Sequence, residues 1–135
     1  MGRSSQTYIN APGAGQIHSD LCHFSQVLVL GNIAKCSGQG GWDNTGNCEY
    51  DSDTQVQQAF DNVDTQLRAA GFRGWEDVYS LRSYHVDIDA SFQKCVEVLK
   101  ERIPGHRPIW TAVGVAKLAF PPMLIELEVE AIKRE

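Results

Sequence analysis

Long apolar runs are missing from this 135-residue chain, so no segment reads as a membrane span. Its first residues, MGRSSQTYIN, lack the apolar stretch of a secretory signal, and nothing in them directs export. Positive charge is also short: 12 Lys+Arg stand against 17 Asp+Glu, a net charge of −5. A surface of that sign repels phosphate backbones, which counts against a dedicated nucleic-acid binder. The four cysteines, Cys22, Cys36, Cys48 and Cys95, contain no C-x-x-C pair and no zinc-like spacing. A small cytoplasmic protein is expected to keep them reduced. His23, His85 and His106 show no i, i+4 pairing, so no metal site is expected. The Gly-rich GQGGWD segment is not followed by G-K-[ST], which excludes a phosphate loop.

What is present reads as one domain, with no repeat or interdomain linker. Residues 1–21 are rich in Gly, Ser, Pro and Ala and are expected to form an irregular N-terminal arm; residues 22–135 form the domain. Phe24–Leu30, the Gly31-Asn32 dipeptide and the following IAKCS predict a hairpin. The stretch 38–51 is dense in Gly, Asn and Asp and predicts a long loop, functional or covering something apolar. Ser52 with Gln55 fits a capping box ahead of Val56, Ala59, Phe60, Val63, Leu67 and Ala70 at helical spacing, and Gly71 stops the helix. Asp77–Asp87 reads as a strand. A second helix from about Asp89 or Ser91 carries Phe92, Cys95, Val96, Leu99 and Ile103 on one face and ends at Pro104-Gly105. Strands over Pro108–Lys117 and Leu124–Ile132 follow; in the last, Ile125, Leu127, Val129 and Ala131 alternate with Glu126, Glu128 and Glu130. The order β-β-α-β-α-β-β predicts an α+β fold with two helices on one face of a mixed sheet and the other face open.

Several segments, in this order, resemble the Rid (YjgF/L-PSP) family. They are the Ser-Gln of CHFSQ, CSGQ at Cys36–Gln39, QAFDNVDTQLRAAG at Gln58–Gly71, WEDVYSLRSYHVDIDASF at Trp75–Phe92, VGVAKL at Val113–Leu118 and IELEVEAI at Ile125–Ile132. Each piece is weak alone; their order and spacing carry the resemblance. It implies a chorismate-mutase-like protomer, a homotrimer with clefts between subunits, and hydrolysis of reactive enamines and imines derived from amino acids to ammonia and a keto acid. It implies no metal or organic cofactor, and a small-molecule substrate as partner in place of nucleic acid or membrane.

The resemblance places Ser37, Gly38 and Gln39 on the family's strand-end S-G-Q and Glu128 on its site glutamate. Ser37 and Glu128 are thus the expected catalytic pair, with Phe24, Gly38, Gln39, Tyr84, Arg107 and Trp110 around the substrate. Phe24 stands where the family commonly has tyrosine. Aligning VGVAKL without a gap puts Trp110 where the deaminases carry a carboxylate-binding arginine, and indole cannot pair with a carboxylate as a guanidinium does. Strand alternation would point Arg107 away from Trp110. Three readings stay open: an imine hydrolase with altered substrate, an isomerase or cyclase acting on an aromatic substrate, and a non-catalytic ligand-binding trimer. Packing alone explains Trp110 and Phe24 equally well, and three alternating glutamates are usually a solvated face.

Overall fold

Gly31 sits at φ +58° in the tight turn between two antiparallel strands that pair from Leu30 with Ile33 to Val27 with Cys36, the hairpin that the sequence predicts. The computed structural model describes residues 6–134. Its elements are β1 (Gln6–Ile9), α1 (Ala14–Cys22), β2 (Val27–Leu30), β3 (Ile33–Gly40), α2 (Ser52–Ala69), β4 (Val78–His85), α3 (Ile88–Arg102), β5 (Ile109–Gly114) and β6 (Ile125–Ile132), with a 3-10 turn at Gly74–Asp77. One six-stranded sheet has the order β1-β2-β3-β6-β4-β5, antiparallel throughout except for the parallel β4–β5 pair that α3 connects. The α+β class and mixed sheet agree with the sequence reading.

The irregular arm does not. Gln6–Ile9 pairs with β2, and Ala14–Cys22 is helical. Gly and Pro content pointed to coil, but tertiary contacts override it: Ala11 donates its N–H to Gln66 Oε1 (2.9 Å), and Gln26 Nε2 reaches the Gly15 carbonyl (3.1 Å). Residues 1–5 of the arm lie outside the described residues. The start of α2 also differs, since Asp51 and not Ser52 is the cap: its carboxylate accepts from Thr54 N at 2.7 Å. Gly71, at φ +89°, follows the helix end as expected. The strand predicted to reach Lys117 ends at Gly114.

The alternation of β6 divides the sheet. Ile125, Leu127, Val129 and Ala131 are buried against α2 and α3 with Ala34, Cys36, Leu81, Phe60 and Cys95. Burying each large apolar side chain of this kind stabilises by roughly 1.5–3 kcal/mol. Phe60 stacks on Trp75 at 4.5 Å, and the Trp75 indole donates to the Phe60 carbonyl (2.8 Å). Glu126, Glu128 and Glu130 project from the other face, in register with Tyr84, Arg82 and Ser80 of β4. A second, smaller cluster of Ala14, Trp42, Cys48 and Met123 lies under the 41–51 loop. That loop is well ordered: Asp43 accepts from Thr45 N (2.9 Å), Asn47 N (3.1 Å) and Tyr50 OH (2.6 Å).

Candidate functional site

The site begins with a break in a ladder. Cys36 pairs with Val129 and Gln39 with Leu127, so two residues of β3, Ser37 and Gly38, stand against Glu128 alone. This β-bulge bends the strand and reverses the alternation after it. Ser37 therefore faces the open side, while Gln39 turns into the interior and is fully buried. There Gln39 Nε2 donates to Gln26 Oε1 (2.6 Å) and to the Ser37 carbonyl (3.0 Å), and its Oε1 has no partner among the described residues. Gln39 thus braces the bulge from behind and does not line the open face, contrary to the expected substrate contact. Simple alternation puts residues 37 and 39 on one side; the inserted residue defeats it.

Two depressions meet at Ser37. One, of about 300 Å³, is polar and is lined by Tyr8, Ser25, Leu28, Lys35, Cys36, Ser37 and Glu128. The other, of about 310 Å³, is mainly apolar; its walls include His18, Phe24, Trp42, Phe120 and Met123, with Gly38 and Glu126. The Ser37 hydroxyl donates to the Ser25 carbonyl at 2.7 Å, which leaves its lone pairs for a donor in the site. The Tyr84 hydroxyl donates to Glu128 Oε1 at 2.8 Å, and this bond raises the phenol above its usual range. Burial of Cys36 pushes its thiol up to about 12, consistent with an inert buried cysteine.

The structure brings Ser37, Gly38, Glu128 and Phe24 together, with Tyr84 behind Glu128. It does not bring Trp110 or Arg107 there. Trp110 pairs with Leu81 and so belongs to the helix-covered side of the sheet, where it stacks on Phe92 (4.8 Å, 8°) and donates Nε1–H to Ser83 Oγ (2.9 Å). Arg107 precedes the first residue of β5, so strand alternation does not govern it. It lines the same groove as Trp110, between α3 and the β5 edge, with Leu99, Ile103 and His106.

Glu126 is the residue that the sequence reading passed over. Its carboxyl lies over Gly38, where a Cβ would be 2.5 Å from the carboxyl carbon, and it is half-buried. Burial, followed by the charge of Glu128, lifts it above the ordinary carboxylate range. The signal for it is that a glycine follows Ser37 across from a row of glutamates. His18, expected in the arm, is 5% exposed; it packs edge-on to Trp42 (4.5 Å) and against Phe120 (5.1 Å). Burial lowers its pKa, and Nδ1 has no hydrogen-bond partner among the described residues. Phe120 and Met123 come from the loop before β6, which Gln55 ties down: its Nε2 donates to the Cys48 (2.9 Å) and Pro122 (2.8 Å) carbonyls and its Oε1 accepts from Leu124 N (2.8 Å).

The family model described as Endoribonuclease L-PSP matches residues 16–133. The chain belongs to that family, the YjgF/L-PSP or Rid family. Among the relatives of this Rid chain is the RutC family protein YjgH of Escherichia coli K12, 34% identical over 113 residues, a span covering 82% of each protein. The solved structure of a protein YjgH has a TM-score of 0.80 at 31% identity over 95% of this chain and 98% of that one. A Rid-family protein of unknown function, YyfA from Yersinia pestis, also gives 0.80, at 26% identity over 96% of this chain and 100% of that one. Among the described residues, no helix is long and apolar enough to cross a membrane.

Proposed function

We propose that this Rid chain is a cytoplasmic, homotrimeric enzyme that hydrolyses a small imine or enamine at the Ser37 bulge without metal or organic cofactor. The observation that carries this reading is the pairing of two unlike carboxyls beside one hydroxyl. Glu126 is raised by burial, whereas Glu128 is exposed and held by Tyr84. Such a pair divides acid and base roles at neutral pH.

In the proposed reaction water adds to the C=N carbon, with Glu128 accepting a proton from the water as the C–O bond forms. The imine nitrogen takes a proton from Glu126, giving a carbinolamine. Collapse of that intermediate forms C=O, breaks C–N and releases ammonia, with the two carboxyls returning to their starting protonation. Ser37, its own proton engaged by Ser25, accepts a hydrogen bond from the substrate N–H and orients it. The bulge gives this arrangement its precision, because Gln39 and Gln26 hold it from the buried side.

The isomerase or cyclase reading rests on Trp110 as a wall of the Ser37 cleft; within the protomer Trp110 stacks on Phe92 and lines a separate groove between α3 and the β5 edge. RNA cleavage, the activity in the family model's description, is opposed by the net charge of −5 and by two glutamates flanking Ser37.

Imines generated in the assay by an amine or amino-acid oxidase test the proposal through ammonia release. Ser37→Ala and Glu128→Gln are each expected to lower kcat/KM by about 10²-fold or more. Ammonia release at the uncatalysed rate for both wild type and Ser37→Ala, across aliphatic and aromatic imines, overturns it.

A further inference from the structure

The apolar depression beneath α1 is built from rings set across one another. His18 and Trp42 pack edge to face at 85° (4.5 Å) and Trp42 and Phe120 at 67° (6.1 Å), so the rings form one packed aromatic wall of the depression. Phe24 and Met123 complete the walls, and among the described residues no lysine or arginine lines the pocket. Its one carboxylic acid among the described lining residues is Glu126.

We propose that this pocket selects an organic monocation, an iminium or amine carrying a ring or branched apolar group, over a molecule bearing a carboxylate. The claim about substrate rests on the imine-hydrolysis reading above; the claim about charge preference does not. A cation held in the depression lies beside the aromatic walls of Trp42, Phe120 and Phe24 and the Glu126 carboxyl, which attract it together. In the hydrolysis reading the iminium is the imine that has taken the Glu126 proton, so cation and carboxylate form one pair, whereas a carboxylate in the same space meets that like charge with no lysine or arginine among the described lining residues to offset it. His18 does not compete for the role, because burial keeps its ring neutral. The ring is 5% exposed and its Nδ1 is unpartnered, an arrangement that packing alone does not favour. At about 310 Å³ the pocket suits a single ring with a short arm. Lys35, the nearby cation, lines the polar depression and stands in register with Glu130.

Cys22 provides a direct readout, since it lines this pocket and is the exposed cysteine, while Cys36, Cys48 and Cys95 are buried. Benzylammonium, benzyl alcohol and phenylacetate are titrated into the full-length protein, and protection of Cys22 from alkylation is followed by mass spectrometry. Benzylammonium is expected to protect at concentrations at least tenfold lower than phenylacetate, and Glu126→Gln to narrow that ratio to about twofold. Phenylacetate protecting as well as benzylammonium in wild type, or none of the three protecting, overturns the proposal without recourse to any variant. Cation-selective protection in a protein that hydrolyses no imine supports the pocket and removes the hydrolase reading. Ser37-dependent hydrolysis with no cation preference does the reverse.

Discussion

At the scale of the residue, Gly38 is where site and backbone are most tightly joined. A methyl group there collides with the Glu126 carboxyl, yet that carboxyl is the far end of a flexible side chain and can swing aside. Gly38→Ala is therefore expected to cost less than about 1 kcal/mol in urea unfolding. The same substitution is expected to lower kcat/KM by about 10²-fold through misplacement of Glu126. Unfolding and kinetics measured on one preparation separate the two; unchanged kinetics counts against Glu126 as the acid. Gln55 is the contrasting case, because its amide holds the two loops that frame the apolar pocket through buried hydrogen bonds. Gln55→Ala is expected to reduce unfolding free energy by about 2–3 kcal/mol, since buried carbonyls and an N–H lose their partner. A loss below about 0.5 kcal/mol would show the loops held by other contacts. Motif position singled out Ser37 and Glu128, and the two line one depression. It did not single out Glu126, because three alternating glutamates look alike until a register assigns one of them to a glycine.

At the scale of the element, periodicity located α2, α3 and β6, whose apolar faces must be covered, β-forming composition located β4, and both missed β1 and α1, whose burial depends on partners distant in sequence. They also missed the bulge, since one inserted residue leaves no compositional trace yet sends Ser37 and Gln39 to opposite faces. Where β4, β5 and α3 join, a polar chain crosses the core. Trp110 Nε1–H donates to Ser83 Oγ (2.9 Å), Ser83 contacts His85 Nε2 (2.8 Å), and His85 Nδ1 contacts Ser91 Oγ (2.6 Å), which donates to the Asp87 carbonyl (3.1 Å). Every proton in that chain has one place only if His85 is neutral with its hydrogen on Nδ1. Burial lowers the pKa of His85, and also that of His18. The unfolded chain then binds more protons than the folded one below the ordinary histidine value of 6.5. Both histidines thus contribute stability that is complete above pH 6.5 and is lost as pH falls from there toward their depressed values. Glu126, raised above its ordinary 4.5, has the opposite sign: its contribution is complete below 4.5 and fades as pH rises through its folded value. Urea midpoints between pH 7.5 and 5.5 are expected to fall with pH in wild type and to fall less steeply in His18→Gln. Identical slopes would remove His18 from the account.

At the scale of the whole molecule, the sheet stops at a bare edge. Among the described residues nothing pairs with the outer side of β5, where Ile109 is 72% exposed and Val113 40% exposed. An edge of this kind with apolar side chains is a template for another chain. Arg107 and Trp110 lie in the groove along that edge, apart from Ser37, so they can meet a Ser37 site only across a contact between copies. Composition and periodicity cannot display such an arrangement, because every one of these residues has a satisfactory environment or an exposed position within one chain. The expectation is a trimer, three times 15.0 kDa by light scattering at micromolar concentration. Ile109→Lys is expected to lower that mass toward 15.0 kDa, with far-ultraviolet circular dichroism unchanged because residue 109 is exposed in the protomer. If the site is shared between copies, the same substitution abolishes ammonia release although Ser37, Glu126 and Glu128 are untouched. If ammonia release persists at 15.0 kDa, one protomer carries the whole site and Arg107 and Trp110 have no part in it.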